Sequence, residues 1–266
     1  MDFVLELADV SVRRGQATLL DTVSWSVRED ERWVVLGANG AGKTTLVQLC
    51  SAQIHPSSGV AGILGEVLGA VDVFELRPRI GYTSAAVAER IPRDELVRDV
   101  VVSASYGVVG RWREHYDELD HERARALLVE VGARKLLDRT FGTLSEGERK
   151  RVQIARSLMT DPELLILDEP AAGLDLGGRE DLVSTMSTLA EDPLSPAIVL
   201  VSHHVEEIPP GFTHALMLRD GRVVTQGPIA EVMTAPNLTA TFGMSLQLTF
   251  EDGRYAARRR SRRHVG

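Results

Sequence analysis

The sequence lacks a cysteine pair, an excess of positive charge and any long apolar run. Cys50 is the single cysteine among 266 residues, so no disulfide can form within the chain, which suits a reducing compartment. The net charge of −8 argues against a protein that coats nucleic acid, because phosphate neutralisation needs excess lysine and arginine. No apolar run approaches the roughly 20 residues of a membrane helix. The start Met1-Asp2-Phe3 lacks the basic residues of a signal peptide, so neither a leader nor a membrane span is expected.

The hydrophobic residues, 44% of the chain, are sufficient for a globular core and follow an α/β pattern. Residues 3–27 alternate apolar and polar side chains on either side of Arg13-Arg14-Gly15-Gln16, which predicts an antiparallel β unit. From about residue 86 to 142, apolar residues recur at helical spacing and predict a helical insert. The apolar runs 164–167 and 198–201 are typical of buried strands in a parallel sheet.

A glycine-rich loop follows the apolar run 33–36 and matches the pattern Gly-x4-Gly-Lys-Ser/Thr at every fixed position. The loop and the residues after it are Gly37, Ala38, Asn39, Gly40, Ala41, Gly42, Lys43, Thr44 and Thr45. The glycines let the backbone aim successive N–H groups at an anion, beside the positive end of a helix dipole. Lys43 is then placed to reach the β- and γ-phosphates of ATP, and Thr44 to put its hydroxyl on Mg²⁺. The alternative is an ordinary glycine-rich turn.

A pair of carboxylates, Asp168 and Glu169, ends the predicted strand 164–167. Open α/β sheets bind ligands at the carboxyl ends of their strands, which is where this pair falls. Asp168 is therefore predicted to hold Mg²⁺ directly or through water, and Glu169 to polarise the attacking water as general base. Taken alone, the pair equally fits a strand that stops in an acidic turn.

The segment Leu144-Ser145-Glu146-Gly147-Glu148 has the spacing of a capping box, in which Ser145 and Glu148 begin a helix together. The same physics supports a second interpretation, because backbone donors and a serine hydroxyl at a helix N-terminus can bind an anion. The two interpretations are compatible.

Five motifs, in this order and spacing, resemble the nucleotide-binding domain of ABC-type ATPases over about residues 3 to 235. They are residues 37–45, 144–148, 164–170, Gly173-Leu174-Asp175 and Val201-Ser202-His203. The resemblance implies an α/β fold: a P-loop NTPase core with a mainly parallel sheet, an N-terminal antiparallel β subdomain and an inserted helical subdomain. The departures from the family pattern described below, together with Trp25, Trp33 and the stretch 88–92, are similar to the molybdenum-transport or photorepair-like branch of that family.

The resemblance also implies a head-to-tail dimer with a second copy of the chain, enclosing two ATP molecules. Each ATP is expected to lie between the glycine loop of one copy and Ser145 and Gly147 of the other, with Asp175 in the loop exchanged across the dimer. His203 corresponds to the switch histidine, which is expected to contact the γ-phosphate and to orient Glu169 and the water.

Three sites depart from the family pattern. Ala85 stands about where the family has a glutamine that senses Mg²⁺ and the attacking water and relays to a membrane partner, so this departure weakens the case for such a partner. Glu146 and Glu148 replace the more usual glycine and glutamine, and Glu146 adds negative charge near the expected γ-phosphate. Arg14 stands about where an aromatic residue stacks on adenine, and a guanidinium plane can stack there too.

The predicted organisation is a single ATPase domain over residues 1–250, followed by a basic tail over residues 251–266. Within the domain, residues 1–85 and 145–250 form the core and β subdomain, and residues 86–144 form the helical subdomain. The tail carries the arginine-rich run 254–263, which predicts a solvated, disordered terminus. Attraction to anionic lipid or to RNA is the alternative.

Three hypotheses about function follow. The first is an ATP-hydrolysing subunit that powers an ABC transporter beneath separate membrane-spanning permease subunits, in the cytoplasm and peripheral to the inner face of the cell membrane. The second is a stand-alone ABC ATPase that acts as a switch on nucleic acid or ribosomes, motivated by Ala85 and the arginine run. The third is a nucleotide-binding module without turnover, which the presence of Lys43, Asp168, Glu169 and His203 disfavours.

Overall fold

The computed structural model describes residues 3–106 and 116–260. Residues 107–115 of the predicted helical insert and residues 261–266 of the basic tail lie outside this part. None of the helices within the described ranges is long and apolar enough to cross a bilayer.

The described residues form strands and helices that alternate along much of the chain. The strands are β1 (Phe3–Arg14), β2 (Ala17–Arg28), β3 (Arg32–Leu36), β4 (Ser58–Ile63), β5 (Glu66–Val67), β6 (Ile80–Thr83), β7 (Leu164–Asp168), β8 (Ala197–Ser202), β9 (His214–Arg219), β10 (Arg222–Pro228), β11 (Leu246–Glu251) and β12 (Arg254–Arg259). The helices are α1 (Lys43–Cys50), α2 (Val73–Leu76), α3 (Ala85–Ala88), α4 (Val97–Val102), α5 (Glu118–Glu130), α6 (Glu146–Ser157), α7 (Leu176–Glu191), α8 (Ile229–Val232) and α9 (Ala235–Phe242).

The N-terminal sheet is antiparallel, with strand order β2-β1-β4-β5. The long strands β1 and β2 pair from Phe3 opposite Arg28 to Arg14 opposite Ala17. Gly15 between them has a φ of 61°, a left-handed conformation that glycine adopts without steric cost. The antiparallel β unit predicted from alternation is confirmed.

The central sheet has the order β10-β9-β3-β8-β7-β6, and its pairs are parallel except for β10 with β9. Each strand of a buried sheet contributes side chains to both faces. Val34 and Leu36 of β3 join the core beneath the helices, whereas Trp33 and Val35 join the core shared with the N-terminal sheet, where the lone Cys50 is also buried. The mainly parallel α/β sheet expected from the sequence is confirmed.

Helices α4 and α5 pack against α6, between the glycine loop and the strand β7 in the sequence. The apolar residues whose spacing predicts helices point inward: Val97 and Val101 of α4 and Leu128 of α5 are fully buried. They join the core beneath the central sheet, to which α6 and β7 also contribute side chains.

The structure corrects the prediction of a disordered terminus for the first part of the arginine run. Residues 254–259 form β12, which pairs along its whole length with β11 in an antiparallel hairpin. Tyr255 and Ala257 pack against the main core, and Arg254 forms an ion pair with Glu180 of α7, with Nη1 2.7 Å from Oε2. Composition alone gave the wrong answer because the many arginines outweigh Tyr255 and Ala257, the two residues of this strand that pack on the core.

Candidate active site

A cleft of about 880 Å³ lies at the carboxyl ends of β3 and β7. Its lining includes, from the sequence-predicted residues, Asn39, Gly40, Gly42, Lys43, Thr44, Thr45, Asp168 and Glu169. The glycine loop and the acidic strand end, 120 and more residues apart in the chain, therefore meet at one place. A larger groove of about 1110 Å³, near Arg32 and Asp192, contains none of these motifs.

The glycines of the loop are required for two different reasons. Gly40 and Gly42 have φ values of 83° and 104°, which side-chain-bearing residues rarely adopt. Gly37 has no such conformation, but a Cβ there would lie 2.6 Å from the carbonyl oxygen of Leu218 in β9. The loop can thus approach the neighbouring strand closely while its later residues turn toward the cleft; Ala41 is buried on the inner side.

The Lys43 ammonium lies inside the loop, with a side chain that is 5% exposed. It donates hydrogen bonds to the carbonyl oxygens of Gly37 at 2.9 Å and Ala38 at 3.2 Å. It also lies 3.5 Å from Oε1 of Glu169. A cation is therefore held between the phosphate-loop backbone and the acidic strand end.

Glu169 is held at the end of β7 by its backbone and by two basic neighbours. Its N–H donates to the carbonyl oxygen of Val201 in β8 at 3.0 Å, and its φ is 47°, a left-handed value uncommon for glutamate and concentrated at functional sites. Oε1 lies 3.2 Å from Nδ1 of His203, which follows β8. The ring of His204 lies beside that of His203, with centroids 4.1 Å apart and an interplanar angle of 43°. The carboxylate is thus bracketed by Lys43 and His203.

Asp168 titrates unusually for an aspartate. Burial, and next the negative charge of Glu169, raise its pKa from 3.8 to about 6, against the opposing effect of Lys43 and Lys150. The cleft therefore holds two adjacent carboxylates that its own lysines do not fully neutralise.

Ser145, Gly147 and Asp175 lie outside the lining of the cleft. Ser145 is the exposed N-cap of α6 and forms the predicted capping box with Glu148. The Glu148 N–H donates to Oγ of Ser145 at 3.3 Å, and the Ser145 N–H donates to Oε2 of Glu148 at 2.8 Å. The Oδ1 atom of Asp175 accepts from the N–H of Gly178 at 2.7 Å and caps α7. Gly147 faces the start of α7, so the two capped helix ends lie side by side at the surface.

Comparison with known proteins assigns the chain to a family. A family model described as "ABC transporter" matches residues 20–172. The chain belongs to the ABC transporter family. As an ATP-binding subunit of this family it is an ATPase, so the predicted fold class and reaction are both confirmed.

Individual relatives support the same assignment over most of the chain. "Uncharacterized ABC transporter ATP-binding protein YlmA" of Bacillus subtilis (strain 168) is 39% identical and the match covers 94% of this chain and 95% of that protein. "Molybdenum import ATP-binding protein ModC" of Shewanella sp. (strain MR-4) is 34% identical, over 77% of this chain and 54% of that protein. Among solved structures, cbiO1 from Clostridium perfringens, described as part of the ABC transporter complex cbiONQ, is 26% identical with a TM-score of 0.76 and covers 90% of this chain and 94% of its own.

Two of the three departures from the ABC pattern fall on the cleft. Ala85 and Glu146 both line it, so the position expected to carry a glutamine presents a methyl group there. Arg14 is exposed at the end of β1 and, in the described part of this ABC ATPase, lies outside the lining; its stacking on adenine stays a prediction.

Sequence reasoning missed several residues of the ABC cleft. Thr18 and Leu19 of β2, the turn residues Asp220 and Gly221, and Lys150 of α6 all line it. The β2 residues reach the cleft only when the N-terminal sheet packs on the central one, whereas the turn residues reach it because β9 pairs with β3; neither pair has a local motif. Lys150 could have been found, since it lies four residues after Glu146 and therefore on the same face of a helix whose start the capping box fixes.

Proposed function

We propose that Glu169 is the general base of ATP hydrolysis and that His203 orients it. What carries the proposal is the geometry around Oε1 of Glu169, which lies 3.2 Å from Nδ1 of His203 and 3.5 Å from Nζ of Lys43. A carboxylate fixed in this way can accept a proton from a water molecule as the water attacks the terminal phosphate. The histidine, on the neighbouring strand end, limits the positions that the carboxylate can adopt.

The glycine loop is proposed to bind the phosphates. Backbone N–H groups of Gly40, Gly42 and the first residues of α1 supply donors at a helix N-terminus. Lys43 then exchanges its hydrogen bonds to the loop carbonyls for phosphate oxygens, which are stronger, charge-assisted acceptors. Arg14 is proposed to stack on the adenine ring beyond this loop.

Thr44 and Asp168 are proposed to hold Mg²⁺. Their hydroxyl and carboxylate oxygens are the hard ligands that this ion prefers. The raised pKa of Asp168 fits a cation there, because it marks negative charge that the protein leaves poorly compensated. When bound, the ion neutralises charge on the phosphates.

The site is proposed to be completed by a second copy of the chain. Ser145, Gly147 and Asp175 lie at capped helix ends on the surface, where backbone N–H groups and hydroxyls can meet an anion from another molecule. The expected assembly is a head-to-tail dimer with two ATP molecules between the copies. Light scattering with Mg-ATP and the Glu169→Gln variant tests it: a dimer is expected, and a monomer at all concentrations contradicts the proposal.

The transporter assignment is proposed to extend to separate permease subunits, with the chain in the cytoplasm and peripheral to the membrane. Relatives named for transport favour this over the switch on nucleic acid or ribosomes. The molybdenum-transport or photorepair-like branch and the helical subdomain at residues 86–144 remain parts of the proposal. Co-purification from native membranes should recover an integral membrane protein, and its consistent absence would count against the permease.

A binding experiment tests the central site. Lys43→Ala removes the cation beneath the loop, so ATP affinity should fall at least tenfold in an equilibrium titration. Lys135→Ala is the matched control, because Lys135 is exposed and lies outside the cleft. Equal ATP affinity in the Lys43 and Lys135 variants would refute the role given to the loop.

A further inference from the structure

Lys150 is a second lysine of the nucleotide cleft that the proposed roles leave unused. It lies in α6, one turn after Glu146, and its side chain is only 7% exposed. Despite this burial it lines the cleft together with Lys43, Asp168 and Glu169. Its ammonium group therefore faces the space that a triphosphate would occupy.

The Lys150 ammonium has no hydrogen-bond or ion-pair partner within residues 3–106 and 116–260. Burial lowers its pKa, while the negative charges of Glu146, Asp168 and Glu169 oppose that effect without forming a direct ion pair. Lys43, by contrast, is satisfied by two loop carbonyls. Among the described residues, Nζ of Lys150 is not one of the fully buried atoms that lack a partner, so the ammonium reaches the solvent of the cleft, where an anionic ligand can supply that partner.

Two further observations indicate what that ligand is. Ala85 lines the same cleft with a methyl group, so this position offers no polar contact. The chain has 30 basic residues, of which only Lys43, Lys135 and Lys150 are lysines, and two of these three line the cleft. A lysine is a compact point charge with freely rotating donors, which suits the oxygens of a phosphate group.

We propose that Lys150 contacts the terminal phosphate of ATP and thereby sets the preference of this site for ATP over ADP. The contact supplies, from α6 of the same chain, a polar interaction that Ala85 cannot make. The inference rests on the proposed function, namely that the cleft holds ATP with its phosphates at the glycine loop.

The test compares affinities for ADP and for the non-hydrolysable ATP analogue AMP-PNP, both with Mg²⁺, in the full chain. Lys150→Gln removes the charge at similar size and should weaken AMP-PNP binding about tenfold, as expected for loss of one charge-assisted hydrogen bond. ADP binding should change less than about twofold, because ADP lacks the terminal phosphate. Lys150→Arg should restore much of the AMP-PNP affinity, and Lys135→Gln should alter neither.

The ratio of the two affinities does not depend on the fraction of folded protein, so partial misfolding cannot imitate the result. If Lys150→Gln lowers the affinities for AMP-PNP and ADP equally, the inference is overturned, since Lys150 would then support the structure of the cleft without contacting the terminal phosphate. Unchanged AMP-PNP affinity would overturn it as well. If the parent protein binds neither nucleotide, both the proposed function and the inference are overturned. If the parent binds both nucleotides and Lys150→Gln leaves the ratio of AMP-PNP to ADP affinity unchanged, only the inference is overturned.

Discussion

Replacing Asp168 by asparagine should stabilise the nucleotide-free protein while abolishing metal-dependent function. The rise of the Asp168 pKa from 3.8 to about 6 means that the folded state penalises the ionised carboxylate. A rise of this size corresponds to about 3 kcal/mol, at about 1.4 kcal/mol for each tenfold change in proton affinity. Partial solvent access reduces the expected effect to about 1–2 kcal/mol. Asparagine keeps the shape of the side chain and removes the buried charge.

The stability difference between the parent and Asp168→Asn should depend on pH in a definite direction. The penalty is complete above pH 6, where Asp168 is ionised in both the folded and the unfolded state, and disappears below pH 3.8, where it is protonated in both. Urea unfolding in EDTA should therefore show Asp168→Asn more stable than the parent at pH 7.5, with a gap that narrows below pH 6. Asp94→Asn, at an exposed position, is the control. An asparagine variant less stable than the parent at pH 7.5 would refute the reasoning.

Two other predictions concern local structure. Ser145→Ala removes the capping box with Glu148 and should lower the free energy of unfolding by about 1 kcal/mol in urea titrations, whereas Ser145→Thr should retain most of it. An unchanged value for the alanine variant would contradict the cap. Arg254→Ala breaks the ion pair with Glu180 and should speed hydrogen exchange in the C-terminal hairpin, which is marginal without docking. Arg259→Ala, at an exposed position on the same strand, should leave the exchange rates unchanged. Equal exchange rates in the two variants would contradict the anchoring of the hairpin by Arg254.

The sequence predicted the elements whose signal is local. The glycine loop, the acidic end of β7 and the capped start of α6 each have a fixed spacing, and each is found where that spacing requires it. The central sheet was predictable because buried parallel strands read as uninterrupted apolar runs, as in residues 164–167 and 198–201.

What the sequence did not predict depends on long-range packing. Thr18 reaches the cleft because the N-terminal sheet packs on the central one, and Asp220 reaches it because β9 pairs with β3; no residue near either one signals this position. The strand at residues 254–259 was wrongly predicted as disordered because arginine content outweighed the apolar residues Tyr255 and Ala257. Lys150 has no motif of its own, and a lysine in a charged helix is usually solvated.

Hydrolysis by the Glu169→Gln variant tests the central claim most directly. The substitution removes the proton acceptor and keeps the size of the side chain, so ATP and Mg²⁺ binding should persist while phosphate release falls at least about 100-fold. Glu66→Gln, an exposed carboxylate outside the cleft, should hydrolyse ATP at the parent rate. Phosphate release by Glu169→Gln at the parent rate would contradict the assignment of the general base and, with it, the chemistry proposed for this cleft.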